Sequence, residues 1–392
     1  MVRLEATTDS PLMNQEIIDT HEKEVVCMKR RIDTSITWIC ATLLMLSSAF
    51  VPKHALAQDL LDRVTLHGYL TQAYGVTDNL PVDGLDKGGT WDYRVASLQM
   101  RYAISDNGEF VVQVRNRRLG NSLLSDNGID LSWAYYRHNF GSTSVKVGLD
   151  PLPLGIYNEL RLVGTVLPFF RAPDVFYLPG VESISGVTVG NHLGHGTLSL
   201  ESTLYLGSQI TRNEIQTPSG PFILENHGDN IMGVQEWLNT PIPGLRLGGT
   251  YLRFKAPTAD LTDTLPNNLV GGSLDGTFDR FFARGEYMRY RVIRGIPTGD
   301  VVQVNYYGQA GVKLLEPLWL NAQAEVNQNN YGSVPFRGTD DKAVGVLYKA
   351  NPEMVFKLEG HRATGYNFDK FMFPPMPQGK TYYGIASMSV SF

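Results

Sequence analysis

Cysteine is almost missing from this sequence: Cys27 and Cys40 are the only two in 392 residues. Both precede Ala55-Leu56-Ala57, a small-residue cleavage pattern, so the exported segment is expected to hold no disulfide and no thiol chemistry. Beyond that pattern there is no uninterrupted run of about eighteen apolar residues, which excludes a membrane-spanning helix. Positive charge is not in excess either. The formal net charge is −5, a balance that does not suggest nucleic acid as a partner. A G-x-S-x-G nucleophile elbow is lacking, and His67, His138, His192, His195, His227 and His361 are dispersed without a local Ser or Asp pattern. No catalytic residue is identified, and the chain is read as not an enzyme. His192 and His195 have His-x-x-His spacing, but in a glycine-flanked turn with no carboxylate nearby. Asp78, Asp83 and Asp86, like Asp260 and Asp263, lack the dense spacing of a calcium loop. No metal and no cofactor are therefore expected.

The start of the chain reads as a targeting segment. Met28-Lys29-Arg30-Arg31 is basic, Trp38 to Val51 is apolar but short for a membrane span, and cleavage is expected after Ala57. Residues 1–57 are read as an upstream extension plus a signal peptide, and residues 58–392 as one domain.

Glycine is abundant, 39 residues or near one in ten against an average of about 7%. Between turn clusters, apolar and polar residues alternate with period two, the pattern of strands with one apolar face. Leu98, Met100 and Tyr102 alternate with Ser97, Gln99 and Arg101; Leu131, Trp133 and Tyr135 oppose Asp130, Ser132 and Tyr136; Phe356 and Leu358 alternate with Lys357, Glu359 and His361. Strands are predicted at 64–75, 92–105, 109–118, 129–140, 142–150, 182–191, 197–208, 228–239, 245–255, 269–278, 280–292, 300–313, 317–328, 340–350, 353–364 and 381–392. Their joins alternate between tight turns, such as Asp106-Asn107-Gly108 and Asn351-Pro352, and long connections. The fold class that follows is all-β: a transmembrane antiparallel β-barrel of about sixteen strands, with both ends of the wall at the tight-turn rim. Closure removes edges that lipid would leave unpaired, and a ring of this size encloses an aqueous channel.

One connection stands apart. Pro151 to Gly180 contains five prolines, Tyr157, Phe169, Phe170, Phe176 and Tyr177, while only Glu159, Arg161, Arg171 and Asp174 are charged. So long and apolar a connection must pack against something, and it is expected to fold into the barrel and narrow it.

The signal peptide, the opening strand LHGYLTQAYG (Leu66 to Gly75), this loop and the terminal strand GIASMSVSF (Gly384 to Phe392) together resemble the Gram-negative outer-membrane porin superfamily. The resemblance implies a channel in the bacterial outer membrane for passive diffusion of small hydrophilic solutes, with the loop as its constriction. It also implies a homotrimer and a barrel assembly machinery that reads Phe392. The family's usual constriction sets an acidic loop against a basic ladder. This loop carries two arginines of its own, which departs from simple cation selectivity.

On the polar face beside the loop, Arg101, Arg115, Arg117 and Lys146 form a candidate basic wall. Fixed cations in a narrow aqueous pore concentrate anions; the other reading is that they pin the loop by ion pairs. Opposite them lie Gln303, Asn305, Asn321, Gln323 and Glu325, with Tyr307 and Trp319 nearby, which suits a sugar slide or any solvated lumen. Arg284, Arg289, Arg291 and Arg294 are placed near the external rim, as a solvated rim or as cations that steer anionic solutes or pair with lipopolysaccharide phosphates. Two other classes stay open, a surface receptor or adhesin and a barrel lipase or protease whose site is assembled from distant strands.

Overall fold

The structure is a computed structural model that describes residues 62–392 apart from 123–124, 127, 178–181, 218–219, 258–263, 295–298, 332–333 and 366–378; the expected signal segment, 1–57, lies outside the described residues. The strands are β1 (Val64–Thr77), β2 (Thr90–Ser105), β3 (Gly108–Leu119), β4 (Asp130–Phe140), β5 (Thr143–Pro151), β6 (Ser183–His195), β7 (Leu198–Thr217), β8 (Gly220–Asn239), β9 (Leu245–Pro257), β10 (Thr264–Thr277), β11 (Phe281–Val292), β12 (Val301–Leu315), β13 (Leu318–Tyr331), β14 (Val334–Arg337), β15 (Thr339–Asn351), β16 (Met354–Gly365) and β17 (Gly379–Ser391). Successive strands pair antiparallel, and β17 returns to β1 with Tyr69 opposite Ser391 and Thr77 opposite Tyr383, so the sheet closes on itself. The short β14 pairs with the outer end of β13, while β13 also pairs directly with β15. The wall is therefore a closed barrel of sixteen antiparallel strands.

Burial along the strands is inverted relative to a water-soluble sandwich. On β16, Phe356 and Leu358 are exposed while Lys357, Glu359 and His361 are buried; on β13, Leu320 is exposed while Asn321, Gln323 and Glu325 are buried. Exposed apolar side chains recur on the outer face of β2, β7, β10, β15 and β17, among them Met100, Leu204, Val270, Val346 and Met388. An apolar girdle of this extent suits a lipid surrounding, and the polar face it leaves is turned to the lumen.

Tight joins at 106–107, 141–142, 196–197, 240–244, 278–280, 316–317 and 352–353 share one rim with the start of β1 and the end of β17. Gly141 and Gly196 adopt φ of 63° and 62° in two of these turns, a conformation that disfavours any side chain.

Two sequence expectations are corrected. Strict alternation puts Leu131, Trp133 and Tyr135 on one face, but the β3–β4 register slips between Gln113 opposite Trp133 and Val114 opposite Leu131. Ser132 is the extra residue of a bulge, which reverses the phase of the strand. Leu131 stays outside, Trp133 and Tyr135 turn inward beside Val111, and the Tyr136 ring sits 5.2 Å from that of the exposed Phe110. The stretch 209–227, expected as an external loop, is instead paired: β7 and β8 are 20 residues each, joined as far as Thr217 opposite Gly220. At about 3.3 Å per residue this ribbon is more than twice the roughly 25 Å height of an apolar barrel band.

A charge on the outer face tests this orientation. Leu358→Arg should lower stability by about 2–4 kcal/mol if it lies near the bilayer midplane, read from urea unfolding in lipid vesicles. An unchanged midpoint would contradict a lipid-facing Leu358.

Candidate functional site

β5 ends at Pro151 and β6 begins at Ser183, so the long connection occupies 152–182. Its base is tied where Leu152 N donates to Glu182 O at 3.0 Å. Asn158 Nδ2 donates to the carbonyls of Leu152 at 2.5 Å and Glu182 at 3.0 Å. The described residues between are turns rather than helix or strand, which leaves many backbone groups in need of partners.

Wall side chains supply them. Three carboxylates each accept from one loop amide: Glu286 of β11 from Ile156 N at 3.0 Å, Glu325 of β13 from Val175 N at 3.0 Å, and Glu359 of β16 from Phe170 N. Lys357 donates to Gly164 O and Phe169 O, each at 2.7 Å. Asn321 donates to Pro168 O and Gln235 of β8 to Gly155 O, each at 3.1 Å. Hydrogen bonds with one charged member contribute about 1.5–3 kcal/mol each, so this fastening holds an irregular segment in one conformation.

Glu286 collects the most donors. It also accepts from Tyr177 OH, from Tyr307 OH at 2.5 Å and from Ser273 Oγ at 2.5 Å. Burial, and then the charge of Glu286, push the Tyr177 hydroxyl well above its ordinary range, so it stays a donor. The same oxygen accepts from Ile156 N at 2.6 Å and Tyr157 N at 2.9 Å.

Apolar packing completes the attachment. Leu154, Tyr157, Leu167 and Phe176 join Tyr205, Trp237, Leu252 and Met288 in one cluster. Leu162 and Phe170 join Tyr383, Ile385 and Tyr93 in another, with the Phe170 and Tyr93 rings 4.9 Å apart. Gly164 approaches β1 and β17 so closely that an added Cβ would lie 2.1 Å from Thr71 Oγ1.

The predicted charges separate into three groups. Arg161 Nη1 is 3.0 Å and Arg117 Nη1 2.8 Å from the same Glu182 oxygen, and Arg115 meets the other. Asp126 accepts from Arg117 N at 2.7 Å and Arg115 Nε at 3.3 Å. Burial, with Arg117 and Arg115 beside it, pushes Arg161 down to about 9, which leaves it charged at neutral pH. Arg171 bonds Asp83 of the β1–β2 connection and Asp174 at 2.9 Å. Against the cost of burial, Asp174 and Asp83 hold Arg171 above its ordinary range. Lys146 Nζ lies 3.2 Å from Asp150 and 3.9 Å from Glu159, whose side chain is 58% exposed. Arg101 stands apart, opposite Val111 and toward the tight-turn rim, where its Nε donates to Gln99 at 2.9 Å.

The amide row is internally bonded. Gln303 donates to Asn305 at 3.3 Å and Asn327 to Asn305 at 2.7 Å. Gln309 donates to Gln323, which donates to Glu325. Phe392 exchanges two backbone hydrogen bonds with Gly68, each 3.0 Å, and its ring lies over that glycine, where an added Cβ would come within 2.1 Å. Arg284, placed near the external rim by sequence, instead points inward near the tight turn, 2.8 Å from both Asp275 Oδ1 and Tyr157 OH. β6 extends through His192 and His195, with His192 Nδ1 3.9 Å from Glu201. Among the described residues no group of three or more His, Cys, Asp or Glu could hold a metal ion.

Sequence reasoning missed Gln235, Glu286, Lys357 and Glu359 as loop anchors. Alternation marks Lys357 and Glu359 as polar-face residues, but no local signal ties them to a loop about 190 positions earlier.

No family model matches this chain, and no curated protein matches it in sequence. Its fold matches solved structures. The outer-membrane channel DcaP of Acinetobacter baumannii superposes with TM-score 0.57 at 12% identity, over 84% of this chain and 97% of that one. The anion-selective porin of Comamonas acidovorans gives 0.55 at 10% identity, over 84% and 99%. OmpF of Salmonella typhi in complex with daunomycin gives 0.54 at 11% identity, over 84% and 97%. At such identities the likeness is one of fold: the chain has the barrel of outer-membrane porins.

Removing an anchor should loosen the loop without opening the wall. Glu286→Ala removes one of the two acceptors of Ile156 N and the carboxylate that holds the Tyr177 and Tyr307 hydroxyls, so the amides of Ile156 and Tyr157, both bonded to Tyr177 OH, should exchange with solvent faster by the equivalent of about 1–3 kcal/mol. Hydrogen-exchange mass spectrometry in detergent reads this, with the β12–β13 amides as an internal reference. Unchanged exchange at 156–157 would show that Glu286 does not hold the loop.

Proposed function

We propose that this protein is an outer-membrane porin through which small hydrophilic solutes diffuse passively, narrowed by residues 152–182. The observation that carries the reading is the fastening of that loop. Its backbone is bonded by side chains from the polar faces of β8, β11, β13 and β16, strands spread over much of the ring. A segment attached to so many inner faces lies across the lumen, where it sets the size limit. The outer apolar girdle supports the bacterial outer membrane as the location, and the porin-like terminal strand supports delivery by barrel assembly machinery through Phe392. A homotrimer and contact with lipopolysaccharide belong to the same reading.

The charge pattern refines it. Arg115, Arg117 and Arg161 are matched against Glu182 and Asp126, so they act chiefly as loop fasteners rather than as a bare cationic wall. Glu159 is the exposed loop charge, with Lys146 opposite. Solutes passing this edge meet one charge of each sign, an arrangement that favours polar or zwitterionic molecules over apolar ones.

Planar-bilayer recording tests both statements. Deleting residues 158–172 should raise single-channel conductance; an unchanged value would remove the loop from the conducting path. Glu159→Lys should shift the reversal potential in a salt gradient toward anions, and no shift would place Glu159 away from the permeating ions.

A further inference from the structure

A cavity of about 440 Å³ lies on the tight-turn side of the loop, within the roughly 300–1,000 Å³ that small-ligand sites occupy. It is lined by Phe278, Phe282, Trp319 and Leu347 from the wall and by Val166 and Pro168 from the loop. The rings of Phe282 and Trp319 are 6.1 Å apart and tilted by 36°. They offer aromatic faces to a flat or branched apolar body.

The cations at this cavity are not equivalent. Arg284 is held by Asp275 and Tyr157. Lys313, outside the lining but 5.9 Å from the Trp319 ring centre, is matched by Asp279 at 3.2 Å and Glu316 at 3.6 Å. Lys349 also lines the cavity and stands 5.5 Å over the Trp319 ring, but among the described residues it makes no ion pair. Asp275 is shared between Arg284 and Arg246, so the local balance is positive.

An unmatched ammonium and aromatic walls suit an anion with an apolar body better than a neutral sugar. The wall amide that lines the cavity, Asn321, already gives its Nδ2 to Pro168 O at 3.1 Å. We propose that this cavity binds small organic carboxylates bearing an aromatic or branched apolar group. The apolar group lies against Trp319 and Phe282, and the carboxylate accepts from Lys349. Access for such a ligand rests on the channel reading, since it enters through the lumen.

Isothermal titration of the full-length protein, purified from membranes in detergent, tests the site with benzoate, its uncharged analogue benzyl alcohol, and maltose. Benzoate should bind saturably and at least about tenfold more tightly than benzyl alcohol, the cost of losing one charged hydrogen bond. Lys349→Gln should weaken benzoate by about tenfold and leave benzyl alcohol unchanged, while Lys349→Arg keeps benzoate bound. Absence of benzoate binding, equal binding of benzoate and benzyl alcohol, or maltose binding in place of benzoate would each overturn the proposal, as would Lys349→Gln without effect. Heat-modifiable gel mobility checks the barrel of each variant; if Lys349→Gln does not fold, the benzoate to benzyl alcohol ratio on the unsubstituted protein decides. A protein that conducts in bilayers without binding benzoate sinks this site alone. One that binds benzoate without conducting sinks the channel reading alone.

Discussion

A backbone placed in hydrocarbon must find all its hydrogen-bond partners within the protein, and the rest of this structure depends on that constraint. It requires the pairing of β17 with β1, because an open sheet would leave two edges for lipid to face. Closure divides every strand into an outer and an inner row. The outer row carries Leu358, Val346 and Met388, while Lys357, Gln323 and Ser387 fall to the inner row. The polar lumen follows from the geometry of the wall rather than from a separate polar domain.

A polar interior then makes the long connection possible. Irregular backbone inside a barrel has no ladder to join, and the inner row of side chains serves in its place. Carboxylates take amides, Lys357 takes carbonyls, and Arg117 with Arg115 holds the loop's exit through Glu182. The apolar residues of the loop cover Tyr205, Trp237 and Tyr383, which would otherwise stand in water. The loop and the inner wall are thus complementary in both hydrogen bonding and apolar surface.

Much of the wall was legible in the sequence because a lipid-facing strand has no choice of phase: Phe356, Leu358 and the residues between them announce the orientation of β16 by composition alone. The reading failed where that rule is suspended. At Ser132 a single extra residue moved Trp133 and Tyr135 to the other face, and a bulge leaves no compositional mark. Past Ser208, β7 and β8 continue in backbone pairing through a sequence without period-two alternation, so the pattern could not reveal them. The loop was legible as a packed segment from its prolines and aromatic residues. Its attachments were not, since Glu286 and Lys357 meet it across 130 and 193 positions of sequence, and such pairings depend on how the barrel closes. Arg115 and Arg117 were visible as cations, whereas their partners Glu182 and Asp126 lie in connections whose conformation only the fold determines.

The seam between β1 and β17 has a consequence for how the molecule comes into being. Thr71 and Ser389, which bond each other across it, are separated by 318 positions, so the closing contacts have the largest loop entropy to overcome and the least local help. Until β17 arrives, β1 and β16 are both unsatisfied edges, and no shorter stretch of this wall can substitute for the missing strand. The ring over Gly68 therefore covers the seam whose partners lie farthest apart in the sequence. A chain interrupted anywhere before it remains an open ribbon, recognisable as unfinished by the backbone groups it still exposes.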